Sequence, residues 1–510
     1  MSKDEIRIQY SGFIIFAAQI IGVVTGIIFT LLLTRNMNQT EYGIWSNIFD
    51  WMGYFTILSG LFPFWVTRFV ARRKEGAIKT GLLANLIVGL VSVAVYLPLI
   101  SAVTRTFSLS GIYVLVYLVG SVQVINVYLI SLLESCLRSI KPQVIGYGFL
   151  IEETCKVVLA YVFIAGFHQL FLGAMLSFII AASVQALYYV RFLSGSIRQR
   201  IQWNYLKEWF KGSTALLYNA VGNQVAAFTI ILLFIYGSQA ARGEYQAAAT
   251  FANVVGYSSF LAYALYPKLL AKGSFGEVAS SLKIVLMFSI PMAAIVITMA
   301  QSLLTVLNVV YNVATPALVL LTVDAFVLLL SQFYNSLIFG VERLDEDAKI
   351  PLNKLVRSRI FKVFTLPYIQ AAIALPAAYY ALTRLAGGQS VQAVLWVTAI
   401  NIAVHMGTFL GLYAMMRKSV KLPVSWRSIG KYVLASLVPA TVLYFAPHPT
   451  TLLLTFGMAI GGLAVYAVLL LAIDREARHL IFSILHEIRG ILTGSTQKGK
   501  RDLGSEEPNA

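Results

Sequence analysis

Between Ser11 and Lys74 the chain reads SGFIIFAAQIIGVVTGIIFTLLLTRNMNQTEYGIWSNIFDWMGYFTILSGLFPFWVTRFVARRK. An apolar run from Phe13 to Leu33 breaks at the polar stretch Thr34 to Gly43. A second run, Ile44 to Val66, carries Pro63 and then meets Arg68, Arg72, Arg73 and Lys74. Each run has roughly the 20 residues a helix needs to cross a hydrocarbon core. The polar hinge then lies on one side of a membrane and the basic cluster on the other. The rest of the chain repeats this device, so the fold class is an all-α polytopic membrane protein.

Composition agrees. Apolar residues make up 58% of the 510 and charged residues only 12%, against roughly 25% charged in soluble domains. A net charge of +17 raises the question of nucleic acid, which the distribution of the charge answers below. Cys136 and Cys155 have no partner at metal-ligand spacing and read as small apolar filler. Lys3 and Arg7 precede an apolar run too long for a signal peptide and without a small-residue cleavage site, so it reads as a retained first span.

Fourteen runs pass the length test: 12–34, 43–66, 81–103, 112–133, 144–166, 170–190, 214–236, 245–267, 284–307, 316–337, 363–383, 391–416, 432–446 and 450–473. In lipid every backbone amide needs an internal partner, so these runs are expected to be helices. With the N-terminus placed in the cytoplasm, alternate segments on that side collect 34 of the 39 lysines and arginines. The opposite loops hold Arg35, Arg105, Arg242 and Arg384, and Lys156 falls within a span. A missed helix would scramble this alternation, yet it stays in phase to the end, which places both termini in the cytoplasm and the chain in the plasma membrane. The basic excess belongs to the inner leaflet rather than to nucleic acid. The outer loops are all short, so no extracytoplasmic domain is expected, and the sequon at Asn38-Gln39-Thr40 reads as chance.

Laying the second half on the first reveals a repeat. Glu41-Tyr42 is matched by Glu244-Tyr245, Pro63 follows Tyr42 by 21 residues, and Pro267 follows Tyr245 by 22. Lys79 and Lys283 each follow their proline by 16. Two six-helix lobes related as parallel repeats follow, 1–190 and 214–416, with two added spans in 417–473. The linker 191–213 repeats Ile201, Tyr205 and Trp209 every four residues, which predicts a helix lying on the inner membrane surface. In 474–510, Leu480, Ile484, Ile488 and Ile491 line a second such helix, and the tail from Thr493 is polar.

No catalytic constellation stands out. Gly494 to Arg501 is one residue short of a phosphate-binding loop, with Arg501 where the magnesium-binding hydroxyl belongs and no strand before it. The five histidines lack zinc spacing, so no cofactor and no metal are expected, and the chain does not read as an enzyme. What remains are ionisable residues inside spans, which normally face a bundle interior or a wet cavity. The fifth span holds Glu152, Glu153 and Lys156. Glu152 and Lys156 are one turn apart and can pair, while Lys156, roughly 18 Å from the basic end, is too deep to reach the surface and is a substrate-binding candidate. Asp50 and Asp324 each suit a coupling proton or sodium ion, or a hydrogen bond to a neighbouring helix, and His405 reads as a packing residue. Arg35 and Arg68 end their spans on opposite sides, as anchors or as phosphate ligands at the mouths of a cavity.

The stretch Leu31 to Gly43 resembles the first hairpin of Wzx-type polysaccharide-export flippases of the multidrug/oligosaccharidyl-lipid/polysaccharide exporter superfamily. Arg35, Tyr42 and Gly43 match that family's pattern, while Met37-Asn38 stands where Leu-Gly is usual. The resemblance implies a monomer moving a polyprenyl-phosphate- or pyrophosphate-linked oligosaccharide from the inner to the outer leaflet by alternating access, with the lipid tail left in the bilayer. It implies a cationic cavity, to which Arg35 carries over by motif and Lys156 by burial alone. Glu152, Glu153, Asp50 and Asp324 keep open a proton- or sodium-coupled drug antiporter of the same superfamily. An integral-membrane glycan polymerase or glycosyltransferase would need larger outer loops, and a peptidoglycan-precursor flippase is a close variant of the first reading.

Overall fold

A computed structural model describes residues 8–109, 111–258, 275–341, 358–417, 425–474 and 477–478. The described residues form helices and no strands. Eleven of these helices are long and apolar enough to cross a membrane. The other three expected spans are the first, where Ala18–Thr34 is a shorter apolar stretch, the fifth, which carries three charges, and the eighth, described only to residue 258. The surface helix expected at Leu480 to Ile491 and the Gly494 to Arg501 stretch lie outside the described residues.

The opening hairpin is α1 (Ile8–Thr34) and α2 (Gln39–Thr56). The Asn38 side chain accepts from the Glu41 amide, and the Glu41 carboxylate accepts from the Asn38 amide, both at 2.9 Å. This capping box satisfies two amides the new helix would leave open. Met37, 2% exposed, plugs the core beneath it. The Met37-Asn38 departure from the usual Leu-Gly is therefore a different solution to the same turn: a capped helix start in place of a glycine.

After α2 a 3-10 turn (Ile57–Gly60) leads to α3 (Leu61–Ala71). The first bundle continues with α4 (Ala77–Thr106), α5 (Ile112–Ile140), α6 (Gln143–Tyr161) and α7 (Leu170–Ile197). The second comprises α9 (Thr214–Ala226), α10 (Phe228–Leu232), α11 (Gln239–Ala252), α12 (Phe275–Thr298), α13 (Ala300–Leu307), α14 (Thr315–Val341), α15 (Arg359–Tyr380) and α16 (Ser390–Arg417). Matching irregularities mark the repeat. A 3-10 turn follows α11 (Asn253–Tyr257) as one follows α2, and α6 and α15 each close on a π turn, Val162–Gly166 and Ala381–Leu385. The last two helices, α17 (Trp426–Phe445) and α18 (Leu452–Ile473), pack on α12, where the Tyr466 hydroxyl donates to the Met287 carbonyl at 2.6 Å. The thirteenth run, short as a sequence, thus becomes a 20-residue helix. The described connections at the end carrying Arg35, here called the hinge end, are six residues or shorter. The opposite, basic end carries Arg72, Arg73 and Lys74.

Between the bundles, α7 continues to Ile197, beyond the apolar run that ended at 190, and the linker helix is α8 (Trp203–Gly212). The helix docks on the basic end of the first bundle. Trp209 is fully buried against Phe62 and Phe69, and the Trp65 indole donates to Ser213 Oγ at 2.9 Å. Trp203 and Phe210 stay more than half exposed, the amphipathic division expected of a surface helix. Because Trp209 Nε1 has no hydrogen-bond partner among the described residues, its replacement loses packing alone. Trp209→Ala is expected to cost about 3–5 kcal/mol and to lower the thermal unfolding midpoint in detergent, whereas replacing exposed Trp203 should leave it unmoved.

Candidate functional site

The two bundles meet at the hinge end, where α2 crosses α11. A side-chain carbon on Gly43 would overlap the Gln239 carbonyl oxygen, and one on Gly243 would overlap the Gln39 carbonyl oxygen. The crossing is reciprocal at an offset of 200 residues, three away from the offset between the Glu-Tyr pairs. Those pairs consequently sit in different turns: Glu41 caps the start of α2, whereas Glu244 lies one turn further into α11. Around the crossing, Gln39 Nε2 donates to the Val310 carbonyl at 2.7 Å and Asn308 Nδ2 to the Thr34 carbonyl at 3.3 Å. Tyr42 meets Tyr311 edge-on at 6.0 Å, and Phe107 meets Phe234 at 5.1 Å.

Two turns along α2, Asp50 accepts two hydrogen bonds from Arg242 of α11, from Nε at 2.7 Å and Nη2 at 2.9 Å. Arg242 also donates to Gln246 Oε1 at 3.0 Å and lies 5.7 Å from the Tyr245 ring. The sequence placed Arg242 in an outer loop; the structure places it inside α11, 4% exposed, as the partner of Asp50. A guanidinium survives there because a fork-to-fork carboxylate pair supplies both charge and hydrogen bonds. Asp50 is thereby committed to a bond between the bundles.

In the first bundle Lys156 is 6% exposed and paired with Glu153 at 2.5 Å. The expected Glu152 to Lys156 pair does not form. Positions three and four apart both lie on one helix side, and packing against α1 selects Glu153, whose Oε2 also accepts from Thr25 Oγ1 at 2.6 Å. Phe178 and Phe29 flank the ammonium at 5.0 and 5.9 Å. Glu152 is half-buried and makes no hydrogen bond among the described residues. In the second bundle Asp324 of α14 joins His405 Nδ1 of α16 at 2.7 Å. His405 is thus a polar partner as well as a packing residue.

The arginine candidates lie at opposite ends. Arg35 Nη2 donates to the Val306 carbonyl of α13 at 3.2 Å, tying the bundles together. Arg68 stacks on Phe64 at 3.7 Å at the basic end. Arg35, Arg68 and Lys156 are therefore not one pocket but three stations along the molecule.

Three features escaped the sequence. Arg242 was misplaced because the pattern of charge says nothing of pairing. Glu244, 1% exposed, was read only as part of a repeat; Ser390 Oγ donates to its Oε1 at 2.7 Å, and Oε2 has no partner among the described residues. A buried carboxylate without a cation costs several kcal/mol, against which the start of α16 at Ser390 returns only about 0.3–1 kcal/mol. The third feature is α9, which touches both bundles. Tyr368 of α15 stacks on Tyr218 at 4.5 Å and packs against Gly222, while the Gln224 carbonyl accepts from Tyr54 of α2 at 3.1 Å. At about 100° per residue, two faces remain. One carries Leu217, Val221 and Val225, and the other carries Asn219 and Asn223, whose Nδ2 donates to the Asn219 carbonyl at 2.9 Å. Asn219 is half-buried and Asn223 exposed; carboxamides in mid-helix suit a wet cleft and the aliphatic face suits lipid.

Two helical bundles joined at one end, with ionisable pairs buried in and between them and eleven helices long and apolar enough to cross a bilayer among the described residues, have the architecture of a multi-pass membrane protein. The same fold is found in an inward-facing multidrug resistance MATE family transporter of the MOP superfamily, 13% identical with a TM-score of 0.57 over 78% of this chain and 96% of that one. An outward-facing conformation of such a transporter matches with 13% identity and a TM-score of 0.55 over 81% and 97%. A MOP superfamily transporter from Pyrococcus furiosus, described as having a binding pocket of reverse polarity, matches with 13% identity and a TM-score of 0.53 over 80% and 96%. Residues 10–274, more than half of the sequence, match the polysaccharide biosynthesis protein family, and the chain belongs to it. No curated protein matches the sequence.

Proposed function

We propose that this protein is a flippase that carries a polyprenyl-phosphate- or pyrophosphate-linked oligosaccharide from the inner to the outer leaflet of the plasma membrane, acting as a monomer with both termini in the cytoplasm. The observation that carries the reading is the Lys156–Glu153 pair, a deeply placed cation whose carboxylate is also held by Thr25, in a member of the polysaccharide biosynthesis family. A lipid-linked phosphate takes the place of Glu153 beside Lys156, and Thr25 keeps hold of the displaced carboxylate. Asn219 and Asn223 offer neutral hydrogen bonds to sugar hydroxyls. Arg68 meets the head group at the basic end, taken as cytoplasmic, and Arg35 lies where it leaves. The Asp324–His405 pair is the proton-coupling element, with half-buried Glu152 as a second candidate, while Asp50 serves the seal.

The test is a flipping assay in proteoliposomes, with a glycan-cleaving enzyme added outside to report translocated lipid. Lys156→Ala alone leaves Glu153 buried and unpaired, at a cost of about 3–5 kcal/mol. The Lys156→Met/Glu153→Gln double variant keeps the volume without either charge, and it is expected to fold and to flip at least tenfold more slowly. Wild-type flipping by a folded double variant would remove Lys156 from the mechanism.

A second reading, a proton-coupled antiporter of drugs or other cations, would use the same Asp324–His405 pair for coupling. Efflux from a drug-sensitive host, lost in His405→Ala, would support it over flipping.

A further inference from the structure

We infer that Glu244 is a proton-binding site that holds the hinge end shut when occupied. The inference rests on the alternating-access reading above and adds to it a second titrating group, outside the pairs already assigned.

The observations are geometric. Glu244 immediately precedes the eighth expected span, 245–267, and is 1% exposed. Its Oε1 accepts from Ser390 Oγ at 2.7 Å, its Oε2 has no partner, and no cation lies within ion-pair distance among the described residues. The elements around it carry few other titratable groups. Glu41 and Tyr42 belong to α2, and Glu41 is engaged at the Asn38 cap. Arg242 and Tyr245 share its helix, with the guanidinium turned to Asp50. Asp324 and His405 are engaged with each other. Tyr311 of the 3-10 turn Val309–Ala314 feels the Glu244 charge and has a buried hydroxyl that also lacks a partner.

A carboxylate in this setting accepts one hydrogen bond where it can accept up to about four, and it has no countercharge. Protonation removes the charge and gives the carboxyl a hydrogen to donate, so the sealed state binds a proton. A sodium ion would demand several oxygen ligands, whereas Oε1 is already occupied by the Ser390 hydroxyl. Opening the hinge end admits water, which solvates the carboxylate and takes the proton on that side of the membrane.

Burial pushes the Glu244 carboxyl above the usual carboxylate range, with the Ser390 hydroxyl opposing it. The sealed state is therefore favoured at pH below that raised value and loses its advantage as the pH climbs through it.

The experiment uses the full chain in nanodiscs with spin labels on Thr106→Cys and Val313→Cys, exposed positions on the two bundles at the hinge end. Separations are read from about pH 5 to about pH 9, a window that brackets ordinary and raised carboxyl values. In the otherwise unchanged protein the open fraction should rise at least tenfold with pH. Glu244→Gln, a permanent mimic of the protonated acid, should stay closed throughout, and Glu244→Asp should keep a pH response. A Glu244→Gln protein that retains the parent's response, as it would if His405 governed the hinge, overturns the inference. So does a parent protein that opens independently of pH. Flipping measured on the same samples separates the two levels: flipping without a pH-responsive hinge sinks Glu244 alone, and a pH-responsive hinge without flipping sinks the substrate reading alone.

Discussion

Gly43→Ala is expected to prevent the hinge end from closing. The added methyl would overlap the Gln239 carbonyl oxygen and stand 3.0 Å from the Gly243 nitrogen. Overfilling a packed core usually costs about 1–3 kcal/mol, but in those cases flexible side chains give way. Here both neighbours are main chain of a helix that is bonded to α2 again at Asp50, so the cost falls at or above the upper end. That corresponds to a loss of closed population of roughly a hundredfold. Gly243→Ala should do the same, because the crossing is reciprocal. Gly26, in α1 with nothing near its missing Cβ, is the control. Gly26→Ala should be neutral or gain about 0.5–1 kcal/mol from its helix position. Cysteine crosslinking across the hinge end, with flipping measured in parallel, reads the difference. Normal closure in both Gly43→Ala and Gly243→Ala would show that the two helices do not meet as described.

The second large effect belongs to the Asp50–Arg242 bond. Asp50→Asn leaves a guanidinium 4% exposed without a counter-ion, and Arg242→Gln leaves the carboxylate. Removing one partner of a buried pair costs about 3–5 kcal/mol. Because the partners lie on different bundles, the loss acts on closure as well as on stability. Each single variant should melt earlier in detergent and show a hinge end shifted towards separation. The Asp50→Asn/Arg242→Gln double variant restores a neutral, hydrogen-bonding pair and should recover most of the stability, which makes the two sites strongly non-additive. Simple addition of the single effects would mean that the bond is not a unit of the seal. Were Asp50 a coupling site instead, Asp50→Asn would uncouple transport and leave the crosslinking pattern unchanged.

Together with Glu244, these contacts make the seal a set of separable parts. The glycines permit close approach, the ion pair rewards it, and the buried carboxyl makes it conditional. Among the described residues, each bundle holds one further ionisable pair deeper inside, Lys156–Glu153 in the first and Asp324–His405 in the second. Neither pair crosses between the bundles. Each could therefore change partner or proton without breaking a bond between the bundles, as the flippase proposed above would need.

What the chain determined by itself is local and periodic. The apolar runs, the α8 surface helix and the one-sided placement of basic residues all depend on neighbours within a few turns or on the solvent on either side. Local physics is enough to read them. Partnership is different. Glu152 and Glu153 are both within reach of Lys156 on one helix, and only the packing of Thr25 and α1 against that face selects Glu153. Asp50 and Arg242 are 192 residues apart, and nothing in the charge pattern distinguishes an arginine at a loop from one buried in a helix. Gly43 and Gly243 gain their meaning from a crossing between bundles, and Glu244 from what is missing around it. These were settled by tertiary structure because the energy of a buried charge depends on which atoms surround it, and those atoms come from distant parts of the chain.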